Sequence, residues 1–164
     1  GGMDRFALRA ANMLVGNDEG AAVLEAVFMG PELAFTADAT VAVTGADLPP
    51  KLNGDARPTW EAFPVKAGDV LSFGYLKSGA RGYIAVSGGI DVPLKLGSRS
   101  TYTLGALGGL EGRALKAGDH LPVGAGGSSG GSSSGSSGGG SIPANLRRGV
   151  ALRVLVPQLQ STLP

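Results

Sequence analysis

The first apolar pattern of the chain has the period of a helix. Phe6, Ala10 and Leu14 recur four residues apart within residues 3–14, and Asp4 precedes them where its charge favours a helix start. Because side chains four apart share one helix face, this spacing predicts a short amphipathic helix that buries these three residues. A Gly-Asn pair directly after the segment predicts where the helix ends.

After this helix the pattern changes to short apolar runs and alternation with a period of two, interrupted by glycine, proline and asparagine turns. The runs that predict strands are 22–29, 33–35, 40–44, 63–65, 70–73 and 120–123. We expect 33–35 and 40–44 to pair as a hairpin around Ala37-Asp38. Many short strands with closely spaced turns are typical of an antiparallel barrel or sandwich.

The tetrapeptide Lys-Ala-Gly-Asp occurs twice, at residues 66–69 and 116–119, each time directly before a predicted strand. In each copy the glycine stands where positive φ is allowed, and the aspartate can accept hydrogen bonds from nearby backbone N–H groups. The repeat therefore predicts two equivalent structural turns rather than a functional motif.

Residues 124–141 read GAGGSSGGSSSGSSGGGS, a composition that cannot bury enough apolar surface to offset the entropy of ordering. After this tract, alternate apolar residues predict a further strand with one face toward the main domain: Val150, Leu152, Val154 and Val156. The expected organisation is a barrel domain over 3–123, a Gly/Ser-rich flexible loop or linker over 124–141, and a returning strand with a truncated tail over 142–164.

Composition excludes several kinds of site and partner. The chain has no cysteine, which excludes disulfides, thiolate metal sites and a cysteine nucleophile. Its single histidine, His120, excludes a His-rich metal cluster and leaves little room for a Ser-His-Asp triad. The net charge of +1 gives no reason to expect nucleic acid or an acidic membrane as a partner. Without a long apolar run or a signal pattern, a cytoplasmic protein without membrane contact is expected.

Residues 82–101, GYIAVSGGIDVPLKLGSRST, contain the densest group of candidate ligand-binding residues. The apolar run 83–86 predicts a strand, and the glycine pair after it lets a ligand approach the backbone. Arg99 offers a planar fork of donors that suits a carboxylate or phosphate oxygen, with neighbouring hydroxyl donors at Ser98, Ser100 and Thr101. A plain polar turn between strands explains the same composition.

An ordered series of segments resembles the carboxyltransferase family that includes allophanate hydrolase subunit 2, the C subunit of 5-oxoprolinase and KipA-type proteins. The segments, in order within residues 3–123, are MDRFALRAANMLVGN, GPELAF, VTGADL, LNG, AGDVLSFG, GARGYIAVSGGIDVPLKLGSRST and GGLEGRALKAGDHL. The resemblance covers the first half of the family's subunit. It implies a mainly β fold, a cyclophilin-like antiparallel β-barrel with a short N-terminal helix.

The same resemblance implies a role in an enzyme complex. Urea-degrading members move a carboxyl group from carboxybiotin to urea, and 5-oxoproline-degrading members open a cyclic amide with ATP. We therefore expect a subunit or domain of a carboxyltransferase/amidohydrolase complex that acts on a small urea-like or lactam substrate and is incomplete alone. No cofactor is expected to be bound covalently, and companion subunits would supply ATP or carboxybiotin. The alternative is a non-catalytic, KipA-like regulatory module.

In both enzymatic cases an amide or ureido oxygen gains charge, which fixed donors stabilise. Arg99 and Asp47 are predicted to be catalytic, and no metal site is expected. The predicted substrate-binding residues are Asn53, Arg81, Tyr83, Ser98, Ser100 and Thr101. Structural alternatives remain for three candidates, because Asp47 can cap a turn, Asn53 can supply the left-handed residue of an Asn-Gly turn, and Arg81 can be a solvated charge. Trp60 is predicted to anchor the core rather than to stack on substrate.

Overall fold

The computed structural model describes residues 3–92 and 111–124, together with the backbone of the strand at 150–156. This part of the chain is mainly β, with one helix, α1 (Arg5–Leu14). The strands are β1 (Leu24–Val27), β2 (Glu32–Phe35), β3 (Ala39–Asp47), β4 (Pro50–Leu52), β5 (Asp55–Ala56), β6 (Ala62–Val65), β7 (Val70–Phe73), β8 (Ser78–Val86), β9 (His120–Val123) and β10 (Val150–Val156). No helix in the described ranges is long and apolar enough to cross a membrane.

The strands form two antiparallel sheets. The smaller sheet has the order β1-β8-β3-β6, and the larger has the order β5-β4-β7-β2-β10-β9. An isolated bridge between Ile90 and Val123 connects the chain after β8 to β9. The mainly β prediction with a short N-terminal helix is confirmed, while the described strands form two sheets without closing into a barrel.

Strands β2 and β3 belong to different sheets, so the predicted hairpin is wrong. β2 pairs with β7 and β10, whereas β3 pairs with β6 and β8. The connection around Asp38 crosses between the sheets, and its carboxylate accepts a hydrogen bond from Ala67 N–H at 3.0 Å. Both strands carry apolar side chains that need a facing layer, and separate sheets supply that layer to each of them.

The main core lies between the two sheets and draws its residues from both. In β3 the side chains alternate, so Val41 and Val43 enter this core while Ala42 packs in the cluster beside α1. Thr44 lies on the helix side as well, where its hydroxyl donates to the carbonyl of Ala7 at 2.6 Å. The smaller sheet is therefore covered by the larger sheet on one face and by α1 on the other.

Helix α1 contacts the sheet through alanines, not through the predicted larger residues. Asp4 caps its start by accepting a hydrogen bond from Ala7 N–H at 3.0 Å, and Ala7 and Ala11 are completely buried. Phe6 is 76% exposed and Leu14 is exposed too, so the predicted buried face is wrong by one residue. The small alanine side chains allow the helix backbone to approach the sheet closely, with Leu8 partly buried beside them, while Phe6 and Leu14 are left outside.

The two Lys-Ala-Gly-Asp turns have the same geometry, which confirms the prediction. Their glycines have φ of 90° and 89°. Asp69 N–H donates to the carbonyl of Lys66 at 3.0 Å, and Asp119 N–H donates to that of Lys116 at 3.1 Å. In return, the Oδ2 atom of each aspartate accepts a hydrogen bond from the backbone N–H of the lysine, at 2.7 Å in the first turn and 2.8 Å in the second.

Strand β10 lies between β2 and β9 in the larger sheet. Its register places Leu152 opposite Phe35 on one side and opposite Leu121 on the other. The strand predicted at 150–156 is thus present and completes the sheet, although 125–149, with most of the Gly/Ser tract, lies outside the described residues.

Candidate functional site

An open groove of about 650 Å³ lies at the end of the smaller sheet where β3 finishes and β8 begins. Its lining comes from four segments: Met3 and Asp4 before α1, 45–47 at the end of β3, Thr59 and Trp60 before β6, and 78–81 at the start of β8. Two predicted site residues, Asp47 and Arg81, line this groove together.

Two glycines bring β3 and β8 close together at the groove. Gly45 and Gly79 have φ of 86° and 80°, a region that side-chain-bearing residues rarely adopt. A Cβ on Gly45 would lie 2.4 Å from the Arg81 carbonyl oxygen, and one on Gly79 would lie 2.9 Å from Ala46 Cβ. The strand register also shifts between Gly45 and Asp47. Glycine is therefore needed at both positions, and the resulting bulge directs the end of β3 to the groove.

Asp47 is the last residue of β3 and is exposed. Its carbonyl accepts a hydrogen bond from Lys77 N–H at 2.9 Å, which fixes the backbone at the start of β8. Within the described ranges its carboxylate has no hydrogen-bond or ion-pair partner. The carboxylate is therefore free to accept N–H groups from a ligand in the groove.

Arg81 is held beside Glu25 of β1. Arg81 Nε lies 3.6 Å from Glu25 Oε1, and the side chains are 37% and 33% exposed. The Nε atom itself is buried and has no hydrogen-bond acceptor among the described residues. Glu25 Oε2 also accepts a hydrogen bond from Met3 N–H at 3.3 Å. The side chain as a whole is partly exposed and lines the groove, so the terminal N–H groups of the guanidinium, rather than its buried Nε, are the donors that a ligand oxygen can use.

Tyr83 is completely buried next to the groove rather than lining it. Its hydroxyl accepts a hydrogen bond from Asp4 N–H at 2.8 Å, which joins the start of α1 to β8. Burial raises the pKa of Tyr83, and the neighbouring Glu25 carboxylate acts in the same direction. A buried neutral hydroxyl with these partners fixes the helix start that forms one wall of the groove.

Asn53 lies on the other sheet, in the turn between β4 and β5, and is not brought together with Asp47 and Arg81. It has φ of 52°, as expected of the left-handed residue in an Asn-Gly turn. Its amide donates to Asp69 Oδ1 at 2.9 Å, and its Oδ1 accepts from Val70 N–H at 2.9 Å. The Asn53 hydrogen bond, followed by that from Lys66 N–H, lowers the pKa of Asp69. The amide of Asn53 is thus engaged by the turn.

Trp60 is 42% exposed and lines the groove, so the prediction that it anchors the core is wrong. Its ring centroid lies 6.1 Å from that of Phe6. The backbone N–H of Trp60 donates to the Val43 carbonyl at 2.8 Å. The backbone φ of Trp60 is 58°, which is an outlier for a bulky residue. The loop before β6 folds back on β3 and places the indole at the surface, which composition alone does not reveal.

Comparison with known proteins identifies the family. The family model "carboxyltransferase domain, subdomain A and B" matches residues 1–157. The chain belongs to this family. The resemblance carried by the sequence segments is therefore confirmed.

Curated relatives of this carboxyltransferase-domain chain are much longer than it is. Urea amidolyase of Saccharomyces cerevisiae is 45% identical over 121 residues, an alignment that covers 74% of this chain and 7% of that protein. The C subunit of 5-oxoprolinase from Escherichia coli is 46% identical over 124 residues, which cover 76% of this chain and 40% of that protein. The chain thus spans less than half of either relative.

A solved structure supports the same assignment. The crystal structure of Kluyveromyces lactis urea amidolyase matches with a TM-score of 0.73 at 43% identity, over 75% of this chain and 7% of that chain. The described sheets therefore have the same fold as the matching part of that urea amidolyase structure.

The remaining predicted residues of the carboxyltransferase domain lie outside the described ranges. These are Ser98, Arg99, Ser100 and Thr101. Sequence reasoning missed Glu25, Gly45 and Gly79, whose importance arises from strand pairing. The sequence signal for Glu25 was a carboxylate inside an apolar strand. The described groove supplies one cation, one free carboxylate and an aromatic ring, a set that can bind a small polar planar molecule.

Proposed function

We propose that this chain is part of a carboxyltransferase/amidohydrolase complex that acts on a small urea-like or lactam substrate and is incomplete alone. The observation that carries the proposal is the groove, which holds Asp47 and Arg81 together in a chain of the carboxyltransferase family. Relatives named urea amidolyase and 5-oxoprolinase support the substrate class, since both names refer to a small amide-type molecule.

The two groove residues have complementary roles in this proposal. Asp47 accepts an N–H of the amide or ureido group, and Arg81 donates to a ligand oxygen. An oxygen that gains negative charge during reaction is stabilised by fixed charged donors. Arg99 acts with Asp47 in catalysis, and its hydroxyl neighbours at 98, 100 and 101 add donors. Tyr83 supports the site through its hydrogen bond to Asp4.

Companion subunits or domains complete the site and bring ATP or carboxybiotin to it. The sequence has neither a G-x-x-x-x-G-K-[ST] phosphate-binding loop nor a biotinylation segment, so this chain does not hold these groups through such motifs. We further propose that the two sheets belong to a cyclophilin-like barrel that residues 3–123 form together with the returning strand within 142–164, and that 124–141 is the flexible loop or linker between these parts. A cytoplasmic location suits this assignment.

A reconstitution assay tests the proposed function. The chain is assayed alone and with companion subunits, on 5-oxoproline with ATP and on urea with carboxybiotin. We expect turnover only when the companion subunits are present. Asp47→Asn should reduce kcat/KM by about tenfold or more, because the side chain then accepts the substrate N–H less strongly. Asp55→Asn, an exposed aspartate of β5, is the matched control and should leave kcat/KM unchanged.

The opposite result has a clear meaning. If no combination turns over either substrate while the folded chain still binds its partner, the catalytic proposal fails. The chain would then be a regulatory module of the KipA-like type.

A further inference from the structure

We propose that Asn53 is a deamidation site that Asp69 and Val70 protect in the folded chain, so that the reaction proceeds when the turn between β4 and β5 opens. Asn53-Gly54 is the only Asn-Gly pair of the sequence, and both residues are exposed. The inference goes beyond the proposed function and does not depend on it, because this turn belongs to the larger sheet and does not line the groove.

The chemistry of the modification needs only the chain and water. The backbone nitrogen of Gly54 attacks Cγ of Asn53, so that a new C–N bond closes a succinimide ring and the Cγ–Nδ2 bond breaks. The proton from the Gly54 nitrogen leaves with the side-chain NH₂ group as ammonia. Water then opens the ring at either carbonyl, which gives aspartate or isoaspartate at position 53. Glycine favours the attack because it has no Cβ to obstruct the nitrogen, and the space around Gly54 is open.

Hydrogen bonds to the start of β7 hold the Asn53 side chain in place. Its Nδ2 donates to Asp69 Oδ1 at 2.9 Å, and its Oδ1 accepts from Val70 N–H at 2.9 Å. The backbone N–H of Asn53 donates to the Val70 carbonyl at 2.8 Å. Ring closure requires rotation about the Cα–Cβ bond of Asn53 and of the backbone before Gly54. Because these three bonds oppose both rotations, the closed turn protects the amide.

The position of the turn in the sheet indicates how the protection is lost. Strands β4 and β5 form one edge of the larger sheet and are only three and two residues long. Asn53 and Gly54 have φ of 52° and 86°, the two left-handed residues that a tight hairpin turn requires. Short edge elements open at a lower free energy than the core does. The side chain is therefore released without unfolding of the whole domain.

The modified residue no longer fits the turn. In the aspartate form a carboxylate oxygen takes the place of Nδ2, so two negative charges meet where Asp69 accepted a hydrogen bond. Isoaspartate also lengthens the main chain between the paired residues Leu52 and Asp55. Leu52 is a core residue with 4% exposure, so a shift of β4 disturbs the core. Deamidation thus converts a transient opening of this edge into a permanent change.

Mass spectrometry of the full chain tests the protection. The chain is incubated at neutral pH, either folded or in denaturing urea, and digested at intervals. The peptide that contains residues 53–54 is then separated chromatographically into its asparagine, aspartate and isoaspartate forms. We expect the folded chain to react at least about tenfold more slowly than the unfolded chain, because its reaction requires local opening.

Two variants that remove equivalent aspartates serve as test and control. Asp69→Ala and Asp119→Ala each remove the aspartate of a Lys-Ala-Gly-Asp turn, but Asp69 alone bonds the Asn-Gly pair. Under conditions in which circular dichroism shows both variants folded, Asp69→Ala should deamidate about tenfold faster than the unsubstituted chain, since a hydrogen bond to a charged group is lost. Asp119→Ala should react at the unsubstituted rate. Asp69→Asn keeps a neutral acceptor and should give a smaller acceleration, which provides a second measurement if Asp69→Ala does not fold.

Three results would overturn the inference. Equal rates in the folded and unfolded chains would mean that the fold offers no protection. Rates in both Asp69 variants equal to that of the unsubstituted chain would show that Asp69 does not hold the amide. Equal acceleration in Asp119→Ala would assign the protection to global stability instead of to the contact with Asp69. All three measurements are independent of turnover by the complex, so they leave the proposed function untouched.

Discussion

Arg81 Nε and Glu25 Oε1 lie 3.6 Å apart, a pair that is close enough for charge attraction but too long for a strong hydrogen bond. The pair spans neighbouring strands, since β1 and β8 are adjacent in the smaller sheet. This arrangement holds the guanidinium near the groove and leaves its buried Nε without a hydrogen-bond acceptor among the described residues. Under the proposed function, a ligand oxygen at Arg81 and the Glu25 carboxylate would compete for the same cation.

Replacement of Glu25 tests this competition. Glu25→Gln should tighten the binding of 5-oxoproline about twofold to fivefold, because an ion pair of this exposure contributes up to about 1 kcal/mol. A fluorescence titration of Trp60 measures the change, and the unfolding free energy should fall by no more than about 1 kcal/mol. Weaker binding by Glu25→Gln would indicate instead that Glu25 orients Arg81 for the ligand.

The two Lys-Ala-Gly-Asp turns, at 66–69 and 116–119, should differ in how much stability they lose in acid. In Asp119, hydrogen bonds from Arg113 at 2.7 Å and 2.9 Å lower the pKa to about 2, and the side chain is only 8% exposed. Since this folded-state pKa lies below the unfolded value of about 3.9, the turn stabilises the fold above about pH 4. Up to about 2 kcal/mol should be lost as the pH falls toward 2.

Urea unfolding from about pH 6 down to about pH 2 measures this dependence. Asp119→Asn should lower the unfolding free energy near neutral pH and flatten the acid limb, because the variant cannot gain the proton. Asp69→Asn, in the equivalent but more exposed turn, is the matched control and should lower the unfolding free energy by less than Asp119→Asn does. An acid limb unchanged in Asp119→Asn would show that another carboxylate governs the transition.

A buried amide network should make Asn12 important for stability. Asn12 is fully buried, and its Nδ2 donates to the carbonyls of Glu19 and Ala21 at 3.2 Å and 2.9 Å. Its Oδ1 accepts from Asn17 Nδ2 at 3.2 Å. Asn12→Ala removes these hydrogen bonds and leaves their partly buried partners unpaired, so the unfolding free energy should fall by about 2–3 kcal/mol.

The control for this variant is Met13→Ala, one residue further along the helix and exposed. It should change the unfolding free energy by less than about 0.5 kcal/mol. Equal effects of the two substitutions in urea titrations would mean that the amide network contributes little.

Substitution of Gly45 tests the close approach of β3 and β8 at the groove. Gly45→Ala places a methyl group 2.4 Å from the Arg81 carbonyl oxygen in addition to its φ of 86°. Gly68→Ala has φ of 90° and open space around the added carbon, so it isolates the backbone effect. We expect about 1 kcal/mol of destabilisation for Gly68→Ala and at least about 2 kcal/mol more for Gly45→Ala. Similar thermal unfolding midpoints of the two variants would contradict the crowded geometry.

Local signals were sufficient for much of the fold. The Lys-Ala-Gly-Asp turns, the short strands and the helix start depend on nearby residues, and the structure agrees with the sequence there. The helix face was misassigned because the sheet accepts Ala7 and Ala11 more closely than Phe6 and Leu14. That choice depends on the partner surface, which hydrophobic spacing does not contain.

In the groove, too, some features follow from nearby residues and others depend on distant parts of the chain. Asp47 and Arg81 were identifiable as polar residues at strand ends, but their proximity follows from the long-range pairing of β3 and β8. The role of Glu25 depends on the pairing of β1 with β8, and the exposure of Trp60 depends on a left-handed residue in a loop. Partner choice between distant strands and unusual backbone conformations are the parts that local patterns do not determine.

A heteronuclear NMR titration of the labelled chain with 5-oxoproline, in the presence of the companion subunits that complete the site, decides whether the groove is the binding site. If it is, the largest amide shifts will occur at Gly45, Gly79 and Arg81, and Arg81→Gln will abolish them. Shifts centred on Asn53 and the Asp69 turn, or no saturable shifts at the groove, would overturn the assignment of the ligand to Asp47 and Arg81.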